Sequence, residues 1–115
     1  MEIREENLDG LMVLKLTGRL DASNADSLKR LVKERCEEGK NRVCVDMEGV
    51  SFTDSSGIGA LVVALKTLTD ARGDMCLCAL TPEVRSLFEL VRLHKLFEIH
   101  GTLEDARAWF AHGGV

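Results

Sequence analysis

Residues 11–17 read LMVLKLT, an apolar stretch bounded by Asp9-Gly10 and Gly18, which predicts a β-strand. Residues 2–7 are placed to pair with it as a hairpin edge across Asp9-Gly10. From Ala22 to Glu38 the period changes: Ala25, Leu28, Val32 and Cys36 recur at spacings of three and four and share one helical face. Asp21 stands where a carboxylate can cap that helix, and Gly39 is a natural stop. Residues 42–47 (RVCVDM) are nearly continuous in apolar character, the mark of an inner strand. A second helix follows from Ser55 to Arg72, its core stripe being Ile58, Leu61, Val62, Leu65 and Leu68, with Gly73 ending it. Residues 75–80 (MCLCAL) predict another buried strand. Pro82 fits the first position of a helix whose packed face is Val84, Leu87, Phe88 and Val91. Residues 96–99 are a short extended candidate, with Leu93, Leu96 and Phe97 packing nearby. Thr102 with Asp105 opens a last helix carrying Leu103, Ala106 and Phe110, with Trp109 part exposed. A hairpin followed by strand–helix–strand units implies a mixed sheet packed against helices, an α/β fold.

Composition adds exclusions. The chain has 115 residues, 45% hydrophobic and 30% charged, with a formal net charge of −4, the size and balance of one globular domain (1–115). Neither half is basic, which argues against direct binding to nucleic acid or to an anionic membrane by charge alone. The acidic N-terminus lacks a secretory h-region, and the apolar run Ala60–Leu65 is too short to span a bilayer. Cys36, Cys44, Cys76 and Cys78 contain no CxxC, and His94, His100 and His112 have no ligand spacing. Buried thiols in a cytoplasmic protein without metal or cofactor are the expectation.

One segment is more than scaffold. Thr53-Asp54-Ser55-Ser56-Gly57-Ile58-Gly59 places hydroxyls and a carboxylate where a strand ends and a helix begins. A cap needs one such residue. The two glycines weaken the helix start and leave it uncluttered. A GxSxG elbow is absent because Thr53 stands where its first Gly belongs, and no His accompanies a second catalytic motif. No GxxxxGK[ST] loop is present either. The expectation is therefore a non-enzyme. A hydroxyl at an exposed helix N-terminus suits phosphorylation by another protein, because open N–H groups tolerate the added charge.

Three blocks give the chain a resemblance to the anti-sigma-factor antagonists of the STAS domain family, bacterial partner-switching phosphoproteins. The first is Leu16-Thr17-Gly18-Arg19-Leu20-Asp21 with Ala25 and Leu28. The second is Val45 through Gly59, containing Asp54-Ser55-Ser56-Gly57. The third runs from Pro82-Glu83-Val84 through Leu87-Phe88, Leu93, Leu96-Phe97 and Ala106. The resemblance spans about residues 8–110. It implies a mixed sheet of four or five strands packed against about four helices. It also implies a mechanism. The unphosphorylated antagonist binds an anti-sigma factor that is a serine kinase of the histidine-kinase-like ATPase fold, and so frees the sigma factor. Phosphorylation separates the pair, and a PP2C-type phosphatase resets it.

By the resemblance, Ser55 is the phosphorylated residue, and Asp21, Asp54, Ser56 and Gly57 are partner-contact candidates. Val63, with Gly59 one turn earlier, is a candidate partner-facing apolar edge on helical spacing. The small size and modest charge suit a free monomer. An adaptor that binds without a phosphorylation cycle, such as a small subunit of a lipid-transport ATPase complex, is the alternative, and tuning by a small ligand such as a nucleotide is a third. Two departures from the family pattern stand out. Thr53 occupies a usually apolar position and offers a second acceptor hydroxyl. Arg92 stands where the family often has Gly, which predicts a longer helix there.

Overall fold

A computed structural model describes residues 1–113. Its elements are β1 (Glu2–Leu8), β2 (Leu11–Leu20), α1 (Ala25–Glu37), β3 (Arg42–Thr53), α2 (Ser55–Asp70), β4 (Asp74–Cys78), α3 (Pro82–Leu90), a 3-10 turn (Leu93–Lys95), β5 (Glu98–His100) and α4 (Leu103–Ala111). The five strands form one sheet in chain order. β1 and β2 are antiparallel, and the remaining pairs are parallel. The tight hairpin is permitted because Asp9 and Gly10 both take positive φ, 54° and 87°. The chain folds as the mixed α/β sheet that its periodicities predict.

Strand alternation sorts the apolar residues into two layers. Met12, Leu14, Leu16, Val43, Val45, Met47, Met75 and Leu77 face a core shared with α1, α2 and α3. Leu11, Val13, Cys44, Cys76 and Cys78 face the other way and are covered by Ala106 and Phe110 of α4. Cys44, Cys76 and Cys78 are buried, and Cys36 is partly so. The Cys44 and Cys78 sulfurs lie 3.6 Å apart. The adjacent Cys76 thiol and burial push the Cys44 thiol upward, and hydrogen bonding to Cys44 followed by burial does the same to Cys78.

Four local expectations are corrected. α1 begins at Ala25, three residues later than its apolar period suggests, and Asp21 does not cap it with its side chain. Instead the Asp21 carbonyl accepts the Asn24 and Ala25 amides, at 3.1 and 2.9 Å. α2 ends at Asp70, before Gly73, and Arg72 takes the left-handed conformation at φ 59°. α3 stops at Leu90 rather than lengthening, because Arg92 adopts φ 61° and ψ 23°. That left-handed geometry is the one glycine takes most cheaply, so the backbone turns here with Arg in glycine's usual place. Val91 and Leu96, expected to pack, are exposed.

β3 positions the site. It has 12 residues against five in β4, so its last seven, from Met47 to Thr53, outrun β4 and have only β2 as a strand neighbour. The register there is Gly18↔Val50, Arg19↔Phe52 and Leu20↔Thr53, with irregularities between Lys15 and Thr17 and between Gly18 and Arg19. The loops leaving β2 and β3 therefore emerge side by side.

Candidate functional site

The start of α2 is built from the residues that the sequence singles out. Asp54 is extended, at φ −119° and ψ −172°, and its carboxylate accepts the Gly57 amide at 3.0 Å. Its carbonyl takes the Ile58 amide at 3.0 Å. Asp54 is thus the helix cap. The Ser55 and Ser56 amides are among those that helix geometry leaves open. Both serine side chains are exposed.

Thr53 behaves differently from its neighbours. It is 3% exposed, and its hydroxyl donates to the Asp54 carbonyl at 3.4 Å. The expected second acceptor hydroxyl is therefore sealed under the helix. Gly57 is buried as well. A Cβ at Gly57 would collide with the Leu20 carbonyl and the Thr53 hydroxyl, and would come within 2.9 Å of Leu20 Cγ. The first glycine of the motif serves close packing of helix on strand, not approach by a partner. Gly59 is the open one, with nothing within 4 Å of the place its Cβ would occupy. After the adjacent Ser55 and Ser56, the residues Gly59, Val63 and Lys66 follow at helical spacings of three and four along the outer side of α2. Val63 is 45% exposed.

Asp21 lies in the loop beside this helix start. Its Oδ1 accepts the Ser23 amide at 3.0 Å and the Ser23 hydroxyl at 2.6 Å. Those two donors, aided by Arg19, hold its carboxyl below the usual carboxylate range. Asn24 braces the loop: its Oδ1 accepts the Asp21 amide at 3.0 Å, and its Nδ2 donates to the Arg19 carbonyl at 2.7 Å. Arg19 stacks on Phe52, with its guanidinium carbon 4.0 Å from the ring centroid, and its Nε stands 3.6 Å from Asp21 Oδ2. Phe52 is 39% exposed. Arg19, Ser23, Asn24 and Phe52 were not anticipated as site residues. The run Asp21-Ala22-Ser23-Asn24, rich in short polar side chains that bond their own backbone, was the available signal.

The arrangement offers an exposed hydroxyl, a charge-tolerant helix terminus and a rigid carboxylate on a neighbouring loop. Among the described residues no three His, Cys, Asp or Glu side chains converge to hold a metal ion.

Comparison with known proteins places this architecture. The STAS domain model matches residues 2–106, and the chain belongs to that family. BtrV of Bordetella bronchiseptica, provisionally assigned as an anti-sigma factor antagonist, is 27% identical over 110 residues, covering 96% of this chain and 95% of BtrV. The anti-sigma F factor antagonist of Paenibacillus polymyxa is 25% identical over 101 residues, covering 87% of this chain and 86% of that protein. The unphosphorylated anti-sigma factor antagonist SpoIIAA superposes with a TM-score of 0.73 at 20% identity, covering 99% of this chain and all of that one. SpoIIAA of Bacillus in its phosphorylated form gives 0.73 at 23% identity, covering 93% and 97%. The two superpositions establish a shared fold.

Proposed function

We propose that this chain is an anti-sigma factor antagonist switched by phosphorylation of Ser55. The observation that carries the reading is the placement of Ser55. Of the hydroxyls at the β3–α2 junction, that of Thr53 is buried while those of Ser55 and Ser56 are exposed. Ser55 is also the first helical residue, one position after the capping Asp54. A phosphoryl group there adds about −1.5 to −2 charge beside open helix amides, which favour it. The fold is kept while the neutral surface at Ser55 becomes anionic. The unmodified form binds an anti-sigma factor that is also a serine kinase and releases the sigma factor, and a phosphatase restores it. The curated relatives carry the antagonist designation along nearly their whole length, which supports the reading.

The surface divides into parts with different tasks. Ser55 carries the charge, while Ser56, Gly59 and Val63 present a smooth, weakly polar edge. Asp21, oriented by Ser23 and Asn24, offers a fixed acceptor to a cationic or hydrogen-bond-donating group of the kinase. Asp54 holds the helix start, and Gly57 holds α2 against β2.

Phosphopeptide mapping of the protein from its own cells, over several growth states, tests this. Trypsin releases residues 43–66 as one peptide that contains Ser51, Thr53, Ser55 and Ser56. Phosphate on Ser55 that varies with growth state is expected. A well-detected peptide without phosphate in any state overturns the switch and leaves an adaptor that binds without modification.

A further inference from the structure

We propose that Leu90–Leu96, the turn joining α3 to β5, is a second docking surface, one that takes an acidic amphipathic segment of a partner protein. Six large hydrophobic side chains are exposed among the described residues, and three of them lie in these seven positions. Leu90 is 80% exposed, Val91 47% and Leu96 50%. Such clustering exceeds the scattered apolar exposure of an ordinary surface and marks interaction sites.

Charge defines the occupant. The chain as a whole is net negative, yet residues 90–96 contain Arg92 and Lys95 and no Asp or Glu, the nearest acids in sequence being Glu89 and Glu98 on either side. Arg92 and Lys95 are exposed. Among the described residues neither has a carboxylate within 4 Å, a state they share with Arg4, Arg30, Lys33, Arg42, Arg72 and Arg85, but only Arg92 and Lys95 stand within the cluster of exposed Leu90, Val91 and Leu96. The patch is therefore apolar with an unneutralised basic rim. Arg92 also stands in the left-handed conformation at φ 61°. Backbone economy alone favours Gly at this helix end, so the guanidinium is present against the local preference of the chain. Strain of that kind is a pointer to function when exposed recognition groups surround it. Two free cations with Glu89 and Glu98 beside them attract an anionic bilayer only weakly, which favours a protein partner over lipid.

The surface is distinct from the one at Ser55. α2 and α3 both start from the end of the sheet where β3 and β4 finish. The nine residues of α3 then run back about 13 Å before Leu90 is reached. A partner on Leu90–Leu96 approaches the opposite end of the molecule, so its binding is independent of the phosphorylation state of Ser55.

The test replaces Leu90 with photoreactive benzoylphenylalanine in the full chain, in its own cells, and identifies the cross-linked peptide by mass spectrometry. The expected product joins residue 90 to a segment of another protein with Asp or Glu flanking apolar residues. A synthetic peptide of that segment is then titrated against the purified protein by fluorescence anisotropy. R92E/K95E and Leu90→Ser are each expected to weaken it at least tenfold with the melting temperature little changed. Arg92→Gly is expected to weaken binding while raising the melting temperature, because it removes the charge and the backbone strain together. Ser55→Asp is expected to leave the peptide affinity within twofold. Absence of a cross-link, a cross-link to a second copy or to lipid, or an affinity indifferent to the charge reversal would each overturn the proposal. A large effect of Ser55→Asp would overturn the claim that the surface is separate.

Discussion

The Cα of Gly57 sits so close to the carbonyl oxygen of Leu20 that no side chain fits between them. This contact joins the end of β2 to the first turn of α2. Asp21 follows Leu20, and Ser55 lies two residues before Gly57, so one backbone contact sets the spacing of the two elements that form the site. Gly57→Ala inserts a methyl group that β2 or α2 must move to admit. A loss of about 1–3 kcal/mol is expected, read by chemical denaturation. Unchanged stability would show that the contact is softer than its geometry implies.

Ser55 variants separate fold from switch. Ser55→Ala should take up no phosphate and should bind the kinase partner constitutively. Ser55→Asp keeps a carboxylate at a helix N-terminus, which the dipole favours, so its melting temperature should stay near that of the parent. Its affinity for the partner should fall about tenfold or more. Stoichiometric phosphate on the Ala variant would move the assignment to Ser56. A cooperative melt far below the parent in the Asp variant would contradict an exposed helix start.

Asp54→Ala removes the one side-chain acceptor of the Gly57 amide. About 1 kcal/mol of stability should be lost, with most of it retained in Asp54→Asn, since Asn caps nearly as well. If both variants lose partner binding equally while only Ala loses stability, the carboxylate charge is itself part of the contact.

Acid stability follows from Glu5 and Arg35. Arg35 Nε lies 2.6 Å from Glu5 Oε1 and its terminal nitrogen 3.2 Å from Oε2, tying β1 to the end of α1. The Arg35 hydrogen bonds hold the Glu5 carboxyl below its ordinary value. A carboxyl depressed in the folded state contributes stability that is fully present above its unfolded value, 4.5, and is lost as pH falls through its lower folded value. Denaturation midpoints followed from pH 6 to pH 3 should fall less steeply in Glu5→Gln than in the parent. Parallel curves would remove Glu5 from the acid response.

Much of this architecture was legible in the chain. The period-two and helical repeats located the main elements, and Thr81-Pro82 and Thr102–Asp105 marked helix starts that the structure caps at Thr81 and Thr102. Helix ends were harder to read because backbone conformation, not composition, decides them. Arg72 and Arg92 both turn left-handed with side chains that normally avoid it. Asp21 looked like a cap because Asp is a good one, but Asn24 and Ser23 claim its bonds by local geometry. Thr53 and Gly57 were visible as motif residues, yet their burial depends on β2 lying beneath them. That is a long-range relationship that spacing along the chain does not encode.

The thiols of the sheet carry one more consequence. Cys44, Cys76 and Cys78 lie under α4, with the acidity of the Cys44 and Cys78 thiols suppressed, while Cys36 on α1 is partly open. An alkylating reagent reaches the three only when α4 lifts or the sheet parts, since the thiolate is the reacting species. The protein thus carries a native stopwatch. Cys36, already partly open, is captured from the folded state, and capture of the other three counts the rarer openings of the strands that carry the start of α2.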